Sequence, residues 1–331
     1  VNPFHLLVLI VVISLAFDFT NGWHDAASSI ATIVSTRVLR PFPAVVWAAA
    51  WNFIAPLTFG TAVAATVGRG LVHLEMVNQR VLLAGLLGAI IWNYATIRLG
   101  IPCSSSHALM GGYGGAAIAA AGFGAIIVSG WIKPIIFIFV APMIGLVAGV
   151  LATAACSWLV RKQPPRKVDS LFRRLQLVSA SAFSFSHGTN DAQKSMGIIT
   201  AALVTGGLIP DYKVPDWVII CCALAMAGGT MAGGWRVVKT MGQRITKLNP
   251  FGGFAAETSA AITLIGTAAA GIPVSSTHVI TGAISGVGAS RRLTAVRWGV
   301  TRQILWAWVL TIPGAAIMGA AFHFVFAILL K

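Results

Sequence analysis

One six-residue pattern occurs twice in this chain, as Pro102-Cys103-Ser104-Ser105-Ser106-His107 and Pro273-Val274-Ser275-Ser276-Thr277-His278, each time after Gly-Ile. Proline suits the start of a helix, where its missing N–H costs nothing, and a following Ser or Thr can cap the turn. A helix that starts in apolar surroundings aims free N–H groups and its positive dipole end at one point. The hydroxyls of Ser104, Ser105, Ser106, Ser275, Ser276 and Thr277 add further donors. Two such starts facing each other would surround a small tetrahedral oxyanion. Ser and Thr also pack membrane helices or bond a preceding carbonyl, but that role does not need proline, hydroxyls and histidine kept together twice. His107 and His278 close the motifs as anion donors, proton carriers or internally satisfied residues.

A second pair of segments carries acids. Residues 19–29 read Phe-Thr-Asn-Gly-Trp-His-Asp-Ala-Ala-Ser-Ser, and residues 185–195 read Phe-Ser-His-Gly-Thr-Asn-Asp-Ala-Gln-Lys-Ser. Glycine ahead of each polar run predicts unwound helix at Asn21-Gly22 and His187-Gly188, which would free carbonyl oxygens. Asp25 and Asp191, with His24, Ser28, Ser29 and Ser195, then offer what a proton or a hard monovalent cation needs; if the ion is sodium, the two aspartates are its metal ligands. Unneutralised, two carboxylates would repel an anion beside them, so the pattern points to coupling, in which cation or proton binding permits anion binding. The plainer alternative has each Asp capping a helix or pairing with a base. Asn190 and Lys194 are grouped with the oxyanion donors. Lys194, which aligns with Ser28, has three readings: an ion pair with Asp191, a point charge for the anion, or a side chain reaching for an interface. Glu257 has no acidic counterpart and is a further coupling candidate or half of a buried ion pair. Asp18 has no assigned role.

The scaffold that positions these groups must lie in a membrane. Of 331 residues, 57% are hydrophobic and 9% charged, whereas soluble domains carry about a quarter charged residues. The 23 Lys+Arg against 8 Asp+Glu therefore report topology and not a nucleic-acid partner. Four cysteines without CxxC spacing read as packing residues. Apolar stretches run over residues 4–17, 43–66, 81–97, 108–128, 134–160, 175–185, 217–233, 251–270, 278–288 and 304–330. The first lacks a basic leader and is read as a retained membrane segment, with a cleaved signal as the minor alternative. Several are short or interrupted at the motifs, which predicts broken or re-entrant helices.

The two motif pairs recur in the same order, with offsets of 166 from Asp25 to Asp191 and 171 from Pro102 to Pro273. The chain is thus read as two homologous halves, 1–160 and 175–331, joined by a polar basic loop at 161–174. Six basic residues in that loop, with the clusters at 235–247 and 290–302, mark the cytoplasmic side, while their first-half counterparts at 68–80 and 129–133 hold only Arg69 and Arg80 with Glu75, and Lys133, which fits the outside. The expectation is an all-α polytopic membrane protein of two inverted-topology repeats, with both termini outside and the site at the midplane.

With these motifs, residues 21–32 and 187–197 resemble the inorganic phosphate transporter (PiT) family, most nearly its bacterial low-affinity branch, over essentially the whole chain. The resemblance implies a symporter of the cytoplasmic membrane, with cation sites at the Asp signatures, phosphate at the Ser/Thr turns and a homodimeric assembly. The family signature often places Asn before the Asp and again three residues after it. Here His24 and Ser28 stand in the first copy and Lys194 in the second, so two sodium-binding amides are absent. Proton coupling becomes the expectation over sodium, with a neutral complex of magnesium or another divalent metal as an alternative form of the phosphate. Sulfate carriage, known in similar sequences, is the nearest rival. An anion channel and an intramembrane aspartyl protease are remoter ones, and neither HExxH nor GxSxG occurs. No cofactor and no enzyme activity are expected.

Overall fold

A computed structural model describes residues 3–329; both chain ends, including the last residue of the final apolar stretch, Leu330, lie outside the described residues. Among these the chain is helical, with one isolated bridge, Val72 to Ile126. The first half forms α1 (Pro3–Ser35), α2 (Pro41–Thr58), α3 (Ala62–Arg69), α4 (Gln79–Leu99), α5 (Ser105–Ala121) and α6 (Val128–Val160). The second forms α7 (Pro165–Thr205), α8 (Asp216–Ala232), α9 (Trp235–Lys239, continued by a π-helical turn Thr240–Arg244), α10 (Pro250–Ala269), α11 (Ser276–Arg291) and α12 (Trp298–Leu329).

Local chemistry repeats with the elements. The α2/α3 pair bends by 83° and the α8/α9 pair by 62°. Asn78 and Asn249, 171 residues apart, both cap the helix that precedes a Pro-Ser turn, with side-chain oxygens accepting from Val81 N and Gly252 N. Gly100 and Gly271 end those helices at φ 68° and 65°, a left-handed conformation that favours glycine. Among the described residues, helices α1, α4, α6 and α12 are each long and apolar enough to cross a bilayer, and the two bent pairs reach that length and apolarity only when their members are taken together.

The halves are interleaved. Helix α5 packs most heavily on α12 and α11 on α6, so each half contributes the long helix that supports the other half's turn. Two apolar clusters result. On α1 the first cluster ends at Phe17 and the second begins at Ala27; on α7 the second ends at Phe183 and the first resumes at Ala192. The polar windows between them are the two acidic motifs, and the clusters are met in opposite order along the two helices.

Two expectations are corrected. Helices α1 and α7 run unbroken through Asn21-Gly22 and His187-Gly188. The glycines serve close packing: a Cβ on Gly22 would lie 2.2 Å from the Met226 carbonyl oxygen of α8, and one on Gly188 2.8 Å from that of Asn52 on α2. Unwinding would leave backbone groups unpaired in apolar surroundings. The linker is also mostly helix, because Pro165 opens α7 and leaves only residues 161–164 between α6 and α7. Its basic stretch is the exposed start of α7, braced by an Asp169–Arg173 pair at 2.8 Å. The breaks expected at Pro102 and Pro273 are present, with residues 101–104 and 272–275 outside the helices.

Candidate functional site

The two Pro-Ser turns end in buried helix starts: Ser104 to Ser106 and Ser275 to Thr277 are all at most 4% exposed. Ser104 and Ser275 act as N-caps, their Oγ atoms accepting from His107 N at 3.2 Å and His278 N at 3.3 Å. Of the next two residues of each turn, Ser105, Ser276 and Thr277 face the acids and Ser106 faces Lys194. Ser105 Oγ donates to Asp25 Oδ2 at 2.5 Å and lies 2.6 Å from Asn21 Oδ1. Thr277 Oγ1 lies 3.3 Å from Asp25 Oδ1 and 3.1 Å from Ser28 Oγ. In the other half, Ser276 donates to Asp191 Oδ2 at 3.1 Å, and the Lys194 ammonium donates to Asp191 Oδ1 and to Ser106 Oγ.

These contacts form a matched set. Asp25 meets Ser105 as Asp191 meets Ser276, each acid with its own half's turn. Ser28 meets Thr277 as Lys194 meets Ser106, each across to the other half's turn. Asp25, His187 and Asp191 moreover bring one ligand atom each within 4.8 Å of one another, so both acids belong to a single centre. His187 Nε2 lies at ion-pair distance, 3.0 Å, from Asp191 Oδ2, and its Nδ1 is 3.2 Å from Asn52 Oδ1.

Charge is distributed unequally. Lys194 offsets Asp191 and also bonds the Val274 carbonyl at 3.3 Å, which leaves it 1% exposed and rules out a role at the membrane interface. Asp25 has no Lys or Arg partner among the described residues; its neighbour is His24, with Nδ1 at 2.7 Å from Oδ1. The far side of that imidazole, Nε2, lies 3.4 Å from Cys103 Sγ, which is 3.1 Å from Thr96 Oγ1. Cys103 is thus part of a polar chain to Asp25, beyond the packing role read from its apolar neighbours.

Other candidates are placed as follows. Asn190 is fully buried with neither end of its amide hydrogen-bonded, and the Ser29 and Ser195 hydroxyls are likewise unpartnered. Glu257 sits apart from any cation, its oxygens receiving Thr32 Oγ1 at 2.5 Å, Ser179 Oγ at 2.5 Å and Gln176 Nε2 at 3.0 Å; the buried ion pair is excluded. His107 and His278 meet edge to face at 4.9 Å, and His278 stacks on Trp308 at 3.8 Å. Asn52, Asn93 and Gln176, all fully buried, were missed; only their polarity inside otherwise apolar or helical runs could have pointed to them.

The phosphate transporter family profile matches residues 21–319. A probable low-affinity inorganic phosphate transporter of Rhizobium meliloti is 54% identical, covering 97% of this chain and 96% of the relative. One of Bacillus subtilis is 44% identical with 97% of both chains covered. A solved structure, a sodium-dependent phosphate transporter, superimposes with a TM-score of 0.87 at 24% identity, covering 98% of this chain and 99% of that one. That last likeness establishes the fold alone.

Proposed function

The chain belongs to the phosphate transporter family, and from that premise we propose that it is a multi-pass symporter carrying inorganic phosphate across the bacterial cytoplasmic membrane by alternating access, coupled to protons. Family members are transporters and not enzymes, so the buried acids serve binding and coupling. The observation that carries the reading is the convergence of both Pro-Ser turns on both aspartates. Ser105, Ser106, Ser276 and Thr277 supply hydroxyls, the starts of α5 and α11 supply N–H groups and dipole, and Lys194 supplies a fixed positive charge. Asp25 has no lysine or arginine beside it, only the His24 imidazole at 2.7 Å, so a proton or metal arriving with phosphate would offset the charge that His24 alone must otherwise balance.

The donor set favours this form of coupling. Sodium is held by oxygen ligands, whereas the centre near Asp25 and Asp191 includes the His187 imidazole, which suits a proton or a divalent metal accompanying the phosphate as part of the substrate. The inverted repeat is supported by the opposite order of the apolar clusters along α1 and α7. Two halves of opposite sense meeting at one centre are the architecture that alternating access exploits.

Radiolabelled phosphate uptake into proteoliposomes tests the reading, with pH, sodium and magnesium varied separately and sulfate and arsenate as competitors. An acid-outside gradient should drive saturable accumulation without sodium, arsenate should compete and sulfate should not. A strict sodium requirement would overturn the coupling, and preferred sulfate uptake would overturn the substrate.

A further inference from the structure

A buried polar stripe runs along α1 at helical spacing: Ser14, Asp18, Asn21, Asp25, Ser28, Thr32 and Thr36, each no more than 6% exposed. Steps of three and four residues keep them on one side of the helix. Asp25, at the centre, touches the turns. Seven residues onward, about 10 Å along the axis, Thr32 bonds Glu257. Seven residues back, at the same distance, is Asp18.

Asp18 differs from every other buried acid of this protein. Asp25, Asp191 and Glu257 each receive hydrogen bonds, whereas neither oxygen of Asp18 is hydrogen-bonded and its side chain is completely enclosed. The Ser195 hydroxyl on α7 and the Cys222 thiol on α8 are its polar neighbours, with Lys194 and Asp191 beyond them. The hydroxyl and the thiol lie close enough to act on the carboxyl, but neither meets full hydrogen-bond geometry. Of the other helices packed on α1, α2 has no titratable residue, and none of those on α4 (Arg80, Tyr94, Arg98), α5 (His107, Tyr113), α9 and its π-helical turn (Arg236, Lys239, Arg244), α10 (Glu257) or α11 (His278, Arg291) acts on Asp18. The Lys194 ammonium is taken up by Asp191 and Ser106. An ionised carboxylate here would have only a hydroxyl, a thiol and a more distant ammonium against complete burial, a cost that protonation removes.

We propose that Asp18 is a second coupling site of the transporter, a proton-binding carboxyl two turns from the phosphate centre on the same stripe of α1. It deepens the proton-symport reading and rests on it. A hydroxyl and a thiol as neighbours suit a proton and not a hard metal cation, which takes several oxygen ligands. In each cycle the carboxylate takes one proton from water on the side where phosphate binds and returns it to water on the side of release. The step closes on itself: Asp18 carries one H+ per phosphate, in addition to the proton or metal that accompanies phosphate at Asp25, and ends the cycle as it began. Its counterpart in the second half, by the offset of 166, is Ser184, so the site belongs to one half only.

The test separates coupling from carriage. Wild-type protein and Asp18→Asn are reconstituted, and two quantities are read: phosphate accumulation with proton co-movement under an imposed pH gradient, and phosphate–phosphate exchange with no gradient. Asp18→Asn should lower gradient-driven accumulation and proton movement by about tenfold or more while exchange stays near wild type. Unchanged gradient-driven accumulation in Asp18→Asn would overturn the proposal. Wild-type protein that ignores the pH gradient would instead defeat the proton-symport reading itself. Should the Asn variant not fold, infrared difference spectra of wild type and Asp18→Glu decide: a protonated-acid carbonyl band displaced by the Glu substitution supports the site, and a band indifferent to it refutes the site.

Discussion

The two halves share a site and differ in what surrounds it. Asp25 with Ser105 and Asp191 with Ser276 are the same contact made twice, and so are the crossed contacts from positions 28 and 194. The differences are charged. Lys194 stands where the first half has Ser28, Asp18 where the second has Ser184, and Glu257 where the first has Leu86. The pocket holding Glu257 follows suit: Thr32, Gln176 and Ser179 correspond to Ile198, Ile10 and Ile13. On the proposed function, the duplicated turns and aspartates would form the centre that binds phosphate and its coupling ion, and the unique residues would adjust the charge around it. A symmetric pair of turns can present the same surface to phosphate from either direction, whereas coupling needs only that ion binding and phosphate binding be linked in free energy.

The largest effect expected is on transport. Asp25→Asn and Asp191→Asn should each reduce uptake in proteoliposomes to the level of empty vesicles, but they should part in stability. Asp25→Asn leaves no lysine or arginine unpaired, and His24 can stay neutral beside the amide, so it should unfold nearer the wild-type temperature than Asp191→Asn, which strands Lys194. Next is Lys194→Ser, which copies the first-half residue into the second. Breaking a buried pair costs about 3–5 kcal/mol, so thermal unfolding in detergent should fall sharply, and the double variant with Asp191→Asn should recover much of the loss. Equal stability of Lys194→Ser and wild type would show that the pair is not what separates the halves.

Smaller effects probe what the halves share. Gly22→Ala and Gly188→Ala should each destabilise by about 1–3 kcal/mol, because the added methyl meets backbone of a neighbouring helix. Unwound helix at either position would show no such backbone clash. Ser104→Ala and Ser275→Ala should each lose about 1 kcal/mol for the missing cap, with similar values at the two sites. A cap effect in one half only would mean that the turns are not equivalent.

Much of this was legible in the residues because the polar groups are few and recur. Pro102 and Pro273 with their hydroxyls announced two helix starts, and Asp25 and Asp191 announced the acids beside them. Other features depend on which surfaces meet. Gly22 and Gly188 permit either unwinding or close approach, and only the presence of α8 and α2 against them decides. The exchange of α6 and α12 between halves leaves no mark in a uniformly apolar helix. Basic residues 166–174 are as compatible with a loop as with an exposed helix end, until Pro165 is seen to open one. Cys103 reads as apolar from its neighbours in sequence, yet it touches His24, which is 79 positions away. Asp18 stood at the end of an apolar stretch and could have met water; it is enclosed by residues from α7 and α8.

The central claim is that the two turns hold one phosphate together. Equilibrium binding of radiolabelled phosphate to purified protein tests it most directly, comparing wild type with a Ser105→Ala/Ser106→Ala variant and a Ser276→Ala/Thr277→Ala variant. One phosphate per chain, with affinity weakened by either pair of substitutions, is the predicted result. Two phosphates per chain, or one pair of substitutions without effect, would contradict it.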